Sequence, residues 1–473
     1  MAATIAVLKE RLAGETRVAI TPETAKKYAD LGLTVLVEAG LGDGSSIPDV
    51  DYAAAGAKVV KTAAEALKAA DILLKVRGPS PQESAALKKG AIVVASLDAY
   101  NNGPALAALA KQGASAFAME FVPRITRAQV MDVLSSQANL AGYRAVIEAS
   151  QAYGKALPMM MTAAGTIAAA KAFIMGVGVA GLQAIATARR LGAVVTATDV
   201  RPATKEQVES LGAKFTAVED DEFKNAQTAG GYAKEMSKEY QAKQAALVSE
   251  HIKKQDIVIT TALIPGRKAP ILVNAAQVAS MKPGSVIVDL AVEQGGNVEG
   301  SRVGEVVVTK NGVSIVGYAN LPGRIAADAS NLYARNLFAF VGLLLKDGAI
   351  APDLEDEILK AALVTHGGAV VHDGVKGAGA TAKPVAAKPA AAKAVAMKPA
   401  PKAAAKPAAP KAVAKPAAKA VTKAAPKPAA KPAAKAPAKA AAPKAAVAKP
   451  APKAKPAAQT AAQTAAKTPP KKK

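Results

Sequence analysis

The sequence predicts an α/β protein with two Rossmann-like lobes, each built on a parallel sheet, a cleft between the lobes, and a disordered Ala/Lys/Pro tail. Three observations lead to this prediction. Short apolar runs alternate with amphipathic segments over residues 1–376, a glycine-rich turn follows one of these runs, and the composition changes abruptly at residue 377. Such alternation is typical of parallel sheets whose faces are covered by helices.

The elements of both lobes follow one another in a regular order. In the first lobe we predict strands over residues 5–8, 34–38, 72–76 and 91–96, and helices over residues 22–31, 63–69 and 82–89. In the second lobe, compact apolar runs predict strands over residues 171–175, 194–198, 257–261, 286–290 and 314–317. We therefore assign residues 1–138 and 322–376 to the first lobe, and residues 139–321 to the second.

Residues 377–473 account for nearly all of the net charge of +24. They contain 22 Lys and 17 Pro but no Asp, Glu or Arg, whereas residues 1–376 contain 39 basic and 37 acidic residues. Frequent proline prevents a long helix and repulsion between lysines opposes collapse, so we expect a disordered tail. Such a tail can be a solvated spacer, contact an anionic membrane surface, or bind nucleic acid non-specifically. The nearly neutral charge of residues 1–376 indicates no specific nucleic acid binding.

Missing residue types exclude several kinds of site. The chain has no Cys, which excludes disulfides, thiolate metal ligands and a cysteine nucleophile. Its three His residues are too few for a His-rich centre, so we expect no bound metal. The apolar start lacks the basic residues of a signal peptide, and the apolar run at residues 337–345 is far shorter than the ~20 residues of a membrane helix. We therefore expect a soluble chain.

The clearest motif is the glycine-rich turn that follows residues 171–175. Gly176, Gly178 and Gly181 have the spacing of a dinucleotide fingerprint, which needs a tight turn, room for a pyrophosphate, and close packing of helix on strand. The helix that follows offers free N–H groups and a favourable dipole to phosphate. The alternative is a purely structural turn in an ordinary sheet. We expect the dinucleotide to contact the whole turn: Gly176, Val177, Gly178, Val179, Ala180 and Gly181.

A carboxylate completes this fingerprint. Asp199 stands 18 residues after Gly181, at the end of the next predicted strand, where a carboxylate bonds the adenosine ribose hydroxyls. A carboxylate there repels a 2′-phosphate, which favours NAD(H) over NADP(H). Val200 and Arg201 follow and are expected to contact the same nucleotide. Arg201 is discordant, because its positive charge would attract the phosphate that Asp199 repels.

A polar segment at residues 118–144 is suited to the nicotinamide end of a dinucleotide. It groups Arg124, Gln129, Asp132 and Ser135 around a proline, just before the predicted crossing between the lobes. Amides and hydroxyls can hydrogen-bond a carboxamide ring, while Arg and Asp hold the loop. The alternative is a helix start with a solvated polar face.

Two further segments are candidates for the cofactor site. Gly231 and Tyr232 belong to a Gly-Gly-Tyr sequence, which is either a mobile cover for the cofactor or an ordinary surface loop. Ligands bind at the carboxyl ends of parallel strands, so the strand ends at residues 260–266 and 289–297 are expected to border the nucleotide. The expected contacts are Thr261, Ala262 and Leu263. Glu293, after the next strand, is either a proton donor or a residue that caps a helix or forms a salt bridge.

Together these segments resemble the proton-translocating nicotinamide nucleotide transhydrogenases, in the soluble NAD(H)-binding part of their alpha subunit. The similarity runs over most of residues 1–376. Its most specific motifs are Arg-Ile-Thr-Arg-Ala-Gln-Val-Met-Asp-Val-Leu-Ser at residues 124–135 and Ala-Gly-Gly-Tyr-Ala-Lys at residues 229–234.

The resemblance implies a role for each of these motifs. It implies that Arg124, Gln129, Asp132 and Ser135 hold the dihydronicotinamide ring, and that Tyr232 closes over NAD(H). It implies direct hydride transfer from NADH to NADP+, with NADP(H) on a partner subunit and a membrane-spanning partner that couples the transfer to proton movement. A homodimer in the cytoplasm, peripheral to the inner face of the bacterial membrane, is also implied. Direct transfer requires no acid or base on this chain, only correct positioning of the reacting ring.

Two other interpretations remain. An alanine-dehydrogenase-like enzyme shares this fold, and Arg17 and Lys75 stand where such an enzyme handles its substrate. Against it, residues 96–100 contain no His where that family has its active-site imidazole, and Glu293 replaces an Asp. A nucleotide-sensing scaffold that uses the tail to bind nucleic acid is the non-enzymatic alternative.

Overall fold

A computed structural model describes residues 2–226, 236–264 and 266–376 of the chain. Over these residues the predicted α/β fold is confirmed, since the chain forms two large sheets dominated by parallel strand pairs. The predicted tail lies outside the described residues. Within the described residues, no helix is long and apolar enough to cross a membrane.

The first sheet begins with six parallel strands. They are β1 (Thr4–Val7), β2 (Thr34–Glu38), β3 (Lys58–Val60), β4 (Ile72–Arg77), β5 (Ile92–Ser96) and β6 (Ser115–Ala118). Their order in space is β6-β5-β4-β1-β2-β3. Side chains of β1 alternate between two apolar clusters, with Ile5 and Val7 in one and Ala6 in the other. The sheet is therefore buried on both faces, which explains why its central strands are continuously apolar.

The second sheet follows a short antiparallel hairpin formed by β7 (Met160–Thr162) and β8 (Gly165–Ile167). Its strands are β9 (Lys171–Met175), β10 (Val194–Thr198), β11 (Lys214–Phe215), β12 (Ile257–Thr260), β13 (Val286–Asp289), β14 (Val306–Val308) and β15 (Ser314–Val316). The spatial order is β11-β10-β9-β12-β13-β15-β14. The chain therefore turns in opposite directions from β9 and β12, and such switch points are where ligands bind in α/β sheets.

Four short strands complete the β-structure of the described residues. They are β16 (Leu345–Lys346), β17 (Ala349–Ile350), β18 (Leu363–His366) and β19 (Ala369–Val370). The first two pair with each other, whereas β18 pairs antiparallel with β6 and carries β19 on its outer side. The last of the described residues thus extend the first sheet.

Thirteen α-helices connect the described strands. They are α1 (Pro22–Asp30), α2 (Asp49–Ala54), α3 (Ala63–Ala69), α4 (Pro81–Ala86), α5 (Gly103–Lys111), α6 (Val133–Ala152), α7 (Val179–Arg190), α8 (Thr204–Ser210), α9 (Asp221–Lys224), α10 (Lys238–Ile252), α11 (Ala275–Ser280), α12 (Ala326–Gly342) and α13 (Glu357–Ala362).

The helix predicted over residues 82–89 is shifted in the structure. It begins at Pro81 because Ser80 and Glu83 form a capping box, in which each side chain bonds the other residue's backbone N–H. It ends at Ala86, because Leu87 is extended and buried. Sequence periodicity alone did not show this early stop.

Two long helices, α6 and α12, link the cores of the two sheets to the polar segment. Val133 of α6 and Tyr333, Leu337 and Phe340 of α12 pack in a cluster with the first sheet. Further along α6, residues such as Ala145 pack with the second sheet. Helix α6 therefore contributes to both cores, and its first residues belong to the polar segment.

Candidate active site

The glycine turn between β9 and α7 has the geometry of a phosphate-binding loop. Gly176 has φ +100°, which favours glycine, and a Cβ there would lie 2.5 Å from Thr261 Oγ1. A Cβ on Gly181 would lie 1.9 Å from the carbonyl oxygen of Gly176, so this glycine lets α7 pack against the turn. A Cβ on Gly178 would meet nothing within 4 Å. The space in front of α7 is therefore open at Gly178, where a pyrophosphate can approach the backbone.

The first turn of α7 faces this open space. Val179, Ala180 and Gly181 are its first three residues, whose N–H groups have no partner within the helix. The N–H of Val177 is not free for a phosphate, because it donates to Asp199 Oδ2 at 2.8 Å. Three helix amides beside Gly178 are thus available to the phosphate that the sequence predicts here.

The end of β12 lies next to the glycine turn and is held by a buried amide. Asn297 accepts from the N–H of Ala262 at 3.1 Å and donates to its carbonyl oxygen at 2.9 Å. Asp289, which is fully buried, accepts the backbone N–H of Asn297. Thr261 donates its hydroxyl to the carbonyl of Gly176 at 3.0 Å, while Leu263 is half exposed.

The sequence predicts that the strand end at residues 289–297 borders the nucleotide, but it assigns no positioning role to Asn297 or Asp289. Asp289 ends β13 and Asn297 lies in the polar run that follows, but nothing in that run indicates a partner in another strand connection. The structure shows that they fix the backbone of Ala262 beside the turn. They position the predicted contact residues without facing the open space themselves.

The polar segment forms a concavity of about 340 Å³. Its lining comprises Pro123, Arg124, Ile125, Ala128, Gln129, Asp132 and Ser135. All four residues predicted for the nicotinamide ring are thus brought together. Asp132 accepts the N–H and hydroxyl of Ser135 at 2.8 and 2.6 Å, and so caps α6. Arg124 and Gln129 are exposed and make no side-chain hydrogen bond with another described residue, which leaves their donors to a ligand.

Residues distant in sequence hold this concavity in place. Asn336 of α12 donates to the carbonyl oxygen of Val130 at 2.8 Å and accepts the hydroxyl of Ser136 at 2.7 Å. On another side, Arg127 pairs with Asp356 at 2.7 Å. Asn336 lies some two hundred residues after the segment it supports, so local sequence patterns contain no signal for the contact.

A tight packing contact joins the concavity to the glycine turn. A Cβ on Gly142 of α6 would lie 2.0 Å from the carbonyl oxygen of Ala180, in the first turn of α7. Asn139 also donates to Gln183 of α7 at 3.3 Å. From the start of α6 to Gly142 is about 14 Å along the helix axis. The two halves of the predicted site therefore lie at either end of one stretch of α6.

Charged side chains near the cleft are paired with one another. Arg17 is buried and binds Glu15 through two hydrogen bonds of 2.8 and 2.6 Å, and it donates to Gln137 at 2.9 Å. Burial raises the pKa of Glu15, but hydrogen bonds and charge from Arg17, together with the charge of Arg77, outweigh it and lower that pKa to about 2. Arg77 also lies 3.9 Å from Glu293, which is half exposed. Glu293 therefore takes part in a salt bridge in this structure.

Lys75 is enclosed by two carboxylates. Its Nζ lies 3.6 Å from Glu10 and 3.4 Å from Glu83, and all three side chains are buried or nearly so. Burial raises the pKa of Glu10 to about 7, although the charge of Lys75 opposes this shift. Arg17 and Lys75, which an amino-acid substrate would require, are both occupied by acidic residues of the chain itself.

The remaining predicted contacts are Gly231, Tyr232 and the residues around Asp199, where the structure differs from expectation. Gly231 and Tyr232 lie outside the described residues. The carboxylate of Asp199 is where the fingerprint predicts it, after β10, but Arg201 covers it with two side-chain hydrogen bonds of 2.9 Å. The expected bond to a ribose therefore requires Arg201 to move. Val200, between them, is partly exposed.

Comparison with known proteins adds independent observations. Residues 6–141 match the family model described as alanine dehydrogenase/PNT, N-terminal domain, and residues 145–373 match the model of the C-terminal domain. The chain is 55% identical over 383 residues to an NAD(P) transhydrogenase alpha-subunit protein of Rhodospirillum rubrum, a match covering 80% of this chain and 100% of that protein. The resemblance noted in the sequence is thereby confirmed.

Solved structures and more distant relatives agree. The crystal structure of transhydrogenase from Sinorhizobium meliloti matches with a TM-score of 0.72 at 60% identity, covering 78% of this chain and 100% of that one. Alanine dehydrogenase of Mycolicibacterium smegmatis is 32% identical over 368 residues, covering 76% of this chain and 92% of that protein.

Proposed function

Because the chain belongs to the alanine dehydrogenase/PNT family, we propose that it is the NAD(H)-binding catalytic component of a proton-translocating NAD(P) transhydrogenase. It passes hydride from NADH directly to NADP+ held on a partner subunit. A membrane-spanning partner couples this transfer to proton translocation. The observation that supports this proposal best is the polar concavity, where the exposed side chains Arg124 and Gln129 offer hydrogen bonds rather than proton transfer.

The residues of the second lobe suit a dinucleotide. Gly178 leaves open space in front of three unpartnered helix amides, and Thr261 and Ala262, held by hydrogen bonds to Gly176 and Asn297, lie beside the turn. NAD(H) supplies the hydride when it is bound. The chain holds the phosphates at α7 and orients the nicotinamide ring with Arg124 and Gln129, while Asp132 and Ser135 shape the rim.

Direct transfer also requires that a second ring reach the first. Near-attack geometry places the reacting atoms about 3–3.5 Å apart. Val130 and Leu134 are apolar residues next in sequence to Gln129 and Ser135, and they are 63% and 45% exposed. Exposed apolar residues adjacent in sequence to the lining residues suit contact with a partner domain that brings NADP(H), since such residues gain by being covered.

The assembly includes a second copy of the chain and a membrane. Met161 and Ile167 are exposed on the β7–β8 hairpin, as is Met159 just before it, and we propose that a homodimer covers this hairpin. We further propose that the protein is cytoplasmic, peripheral to the inner face of the bacterial membrane through its partner subunits. The lysine-rich tail adds weak, salt-sensitive contact with anionic lipid.

The test mixes the full chain with the NADP-binding domain of a transhydrogenase and follows hydride transfer from NADH to an NADP+ analogue spectrophotometrically. We expect transfer in the mixture and none with either protein alone. Pyruvate, ammonia and NADH form the parallel assay for the alanine-dehydrogenase alternative. NADH oxidation there, without transfer in the mixture, would overturn the proposal; no oxidation is expected, because Arg17 and Lys75 are paired with Glu15, Glu10 and Glu83.

A further inference from the structure

We propose that Arg201 sets nucleotide selectivity by occupying the carboxylate of Asp199 in the absence of nucleotide. The inference rests on the proposed NAD(H) site and concerns its adenosine end. In this arrangement Arg201 opposes the binding of NADH and assists that of NADPH. It thereby reduces the discrimination that Asp199 alone would give.

The carboxylate of Asp199 is saturated by the chain's own donors. Its Oδ1 accepts the backbone N–H and Nε of Arg201, both at 2.9 Å. Its Oδ2 accepts the N–H of Val177 at 2.8 Å and Nη2 of Arg201 at 2.9 Å. A carboxylate has about four acceptor positions, so all are filled. The Asp199 side chain is accordingly 7% exposed, whereas that of Arg201 is 30% exposed.

A ribose hydroxyl can donate to Asp199 only after the guanidinium has moved. The two backbone bonds belong to the folded turn and the end of β10, and they remain. Departure of Nε and Nη2 frees one position on each oxygen of Asp199. Two neighbouring ribose hydroxyls require one acceptor each, so the vacated positions match the 2′ and 3′ hydroxyls in number.

The guanidinium is held in place by more than Asp199. Its Nη2 also donates to the carbonyl oxygen of Val177 at 3.1 Å. Hydrogen bonding to Asp199 raises the pKa of Arg201, against a smaller opposing effect of burial, so the guanidinium stays charged. NADH must therefore displace a charge-assisted bidentate contact. Its apparent affinity is the intrinsic affinity multiplied by the fraction of chains in which Asp199 is free.

The same guanidinium favours the competing nucleotide. NADP(H) carries a phosphate in place of the 2′ hydroxyl, and guanidinium groups bind phosphate oxygens through two hydrogen bonds. When Arg201 swings from Asp199 it remains tethered beside the ribose position, within reach of a 2′-phosphate. Arg201 thus lowers the affinity for NADH and raises that for NADPH, and the two effects have one cause.

The experiment measures Kd for NADH and NADPH on the full chain by nucleotide fluorescence and calorimetry. Arg201→Met keeps the side-chain length but removes all donors. We expect this substitution to lower the Kd for NADH and to raise the Kd for NADPH, each by roughly tenfold, which corresponds to the loss of one charge-assisted contact. Asp199→Asn should act in the opposite sense, because it releases Arg201 and removes the repulsion of the phosphate. Arg190→Met, in the exposed last turn of α7, is the matched control and should change neither Kd.

The outcomes separate this inference from the proposed function. A wild-type chain that binds neither nucleotide refutes the proposed function. A wild-type chain that binds NADH while Arg201→Met leaves the ratio of the two Kd values unchanged, or weakens NADH, overturns the role of Arg201. Should Arg201→Met misfold by circular dichroism, Arg201→Lys tests the same point. Lysine keeps the charge but loses the bidentate contact, so the Kd for NADH should fall while the Kd for NADPH stays the same. Weaker NADH binding would again overturn the role of Arg201.

Discussion

Asn336 holds the backbone of Val130 through a hydrogen bond of 2.8 Å from its Nδ2 to the carbonyl oxygen. This bond crosses from α12 to the segment that carries Arg124 and Gln129. The concavity is therefore joined directly to α12, whose neighbouring residues Tyr333 and Leu337 are buried in the core of the first sheet.

Asn336→Asp should slow hydride transfer while leaving NADH binding nearly intact. The change replaces the Nδ2 donor by an oxygen that faces the carbonyl of Val130, so the segment shifts. A displacement near 1 Å costs roughly 100-fold in rate. Transfer rate and NADH Kd are measured together, beside Asn311→Asp, which removes similar amide-to-carbonyl bonds at the end of α11. Equal rates for wild type and Asn336→Asp would show that Asn336 does not position the ring.

Gln129→Asn should also slow hydride transfer while leaving NADH binding nearly intact, because Gln129 is itself predicted to contact the nicotinamide ring. Shortening the side chain by one methylene withdraws its amide from the concavity, where it has no described protein partner to replace. We expect hydride transfer to fall by one to two orders of magnitude, with a change in NADH Kd of about twofold or less. Gln82→Asn, exposed on α4, controls for the substitution itself. An unchanged rate would remove Gln129 from the mechanism.

Gly178 and Gly181 should respond differently to alanine. A Cβ on Gly178 meets nothing within 4 Å, so Gly178→Ala should fold normally but block the approach of the pyrophosphate. A Cβ on Gly181 would lie 1.9 Å from the carbonyl of Gly176, so Gly181→Ala should lower the thermal unfolding midpoint. Melting curves and NADH titrations distinguish the two. Undiminished NADH binding by Gly178→Ala would contradict the phosphate site.

Glu10 should make stability fall as pH rises towards neutrality. Burial raises its folded pKa to about 7 from 4.5, so the folded chain binds the proton more tightly than the unfolded chain between these values. Stability from this group is fully present below pH 4.5 and is lost as pH rises through about 7. Glu10→Gln cannot ionise. As pH rises across that range, its free energy of unfolding should therefore increase relative to that of wild type by about 3 kcal/mol. Urea unfolding at pH 5 and pH 8 measures the gain, and a constant difference would refute it.

Deletion of residues 377–473 should leave NADH binding unchanged. The tail has no aromatic residue and few large apolar ones, so it adds nothing to a core. We expect the same NADH Kd and unfolding midpoint for both chains, and loss of salt-sensitive binding to vesicles that contain anionic lipid. A lower midpoint after deletion would mean that the tail packs on the rest of the chain.

The sequence predicted those strands whose formation depends on a compact run of apolar residues. Strands β9 and β10 have the predicted bounds, because each is a compact apolar run. Strand β6, with the sequence Ser-Ala-Phe-Ala, was not predicted, since its small residues give little apolar signal although Ala116 to Ala118 are fully buried. Strand β3 was also missed, because its three residues are too few to show a period.

The candidate site divides in the same way. The glycine turn and the residues of the polar segment are contiguous, and their chemistry is visible in sequence. The contact from Asn336 to Val130 and the pairing of Arg17 with Gln137 join residues far apart in the chain, so no local pattern contains them. Arg201 was noticed as discordant, but only the structure shows that its partner is Asp199.

At the contact between Gly142 and Ala180, only the hydrogen atom of the glycine side chain separates α6 from α7. Any larger group would lift α6 from α7 and move the start of α6, with Asp132 and Ser135, away from the helix amides. A dinucleotide is a ligand of fixed length, so both of its ends must be met at once. The distance between the phosphate-binding and ring-binding halves of the predicted site is therefore set by the absence of a methyl group at Gly142. This residue itself contacts neither end of the ligand.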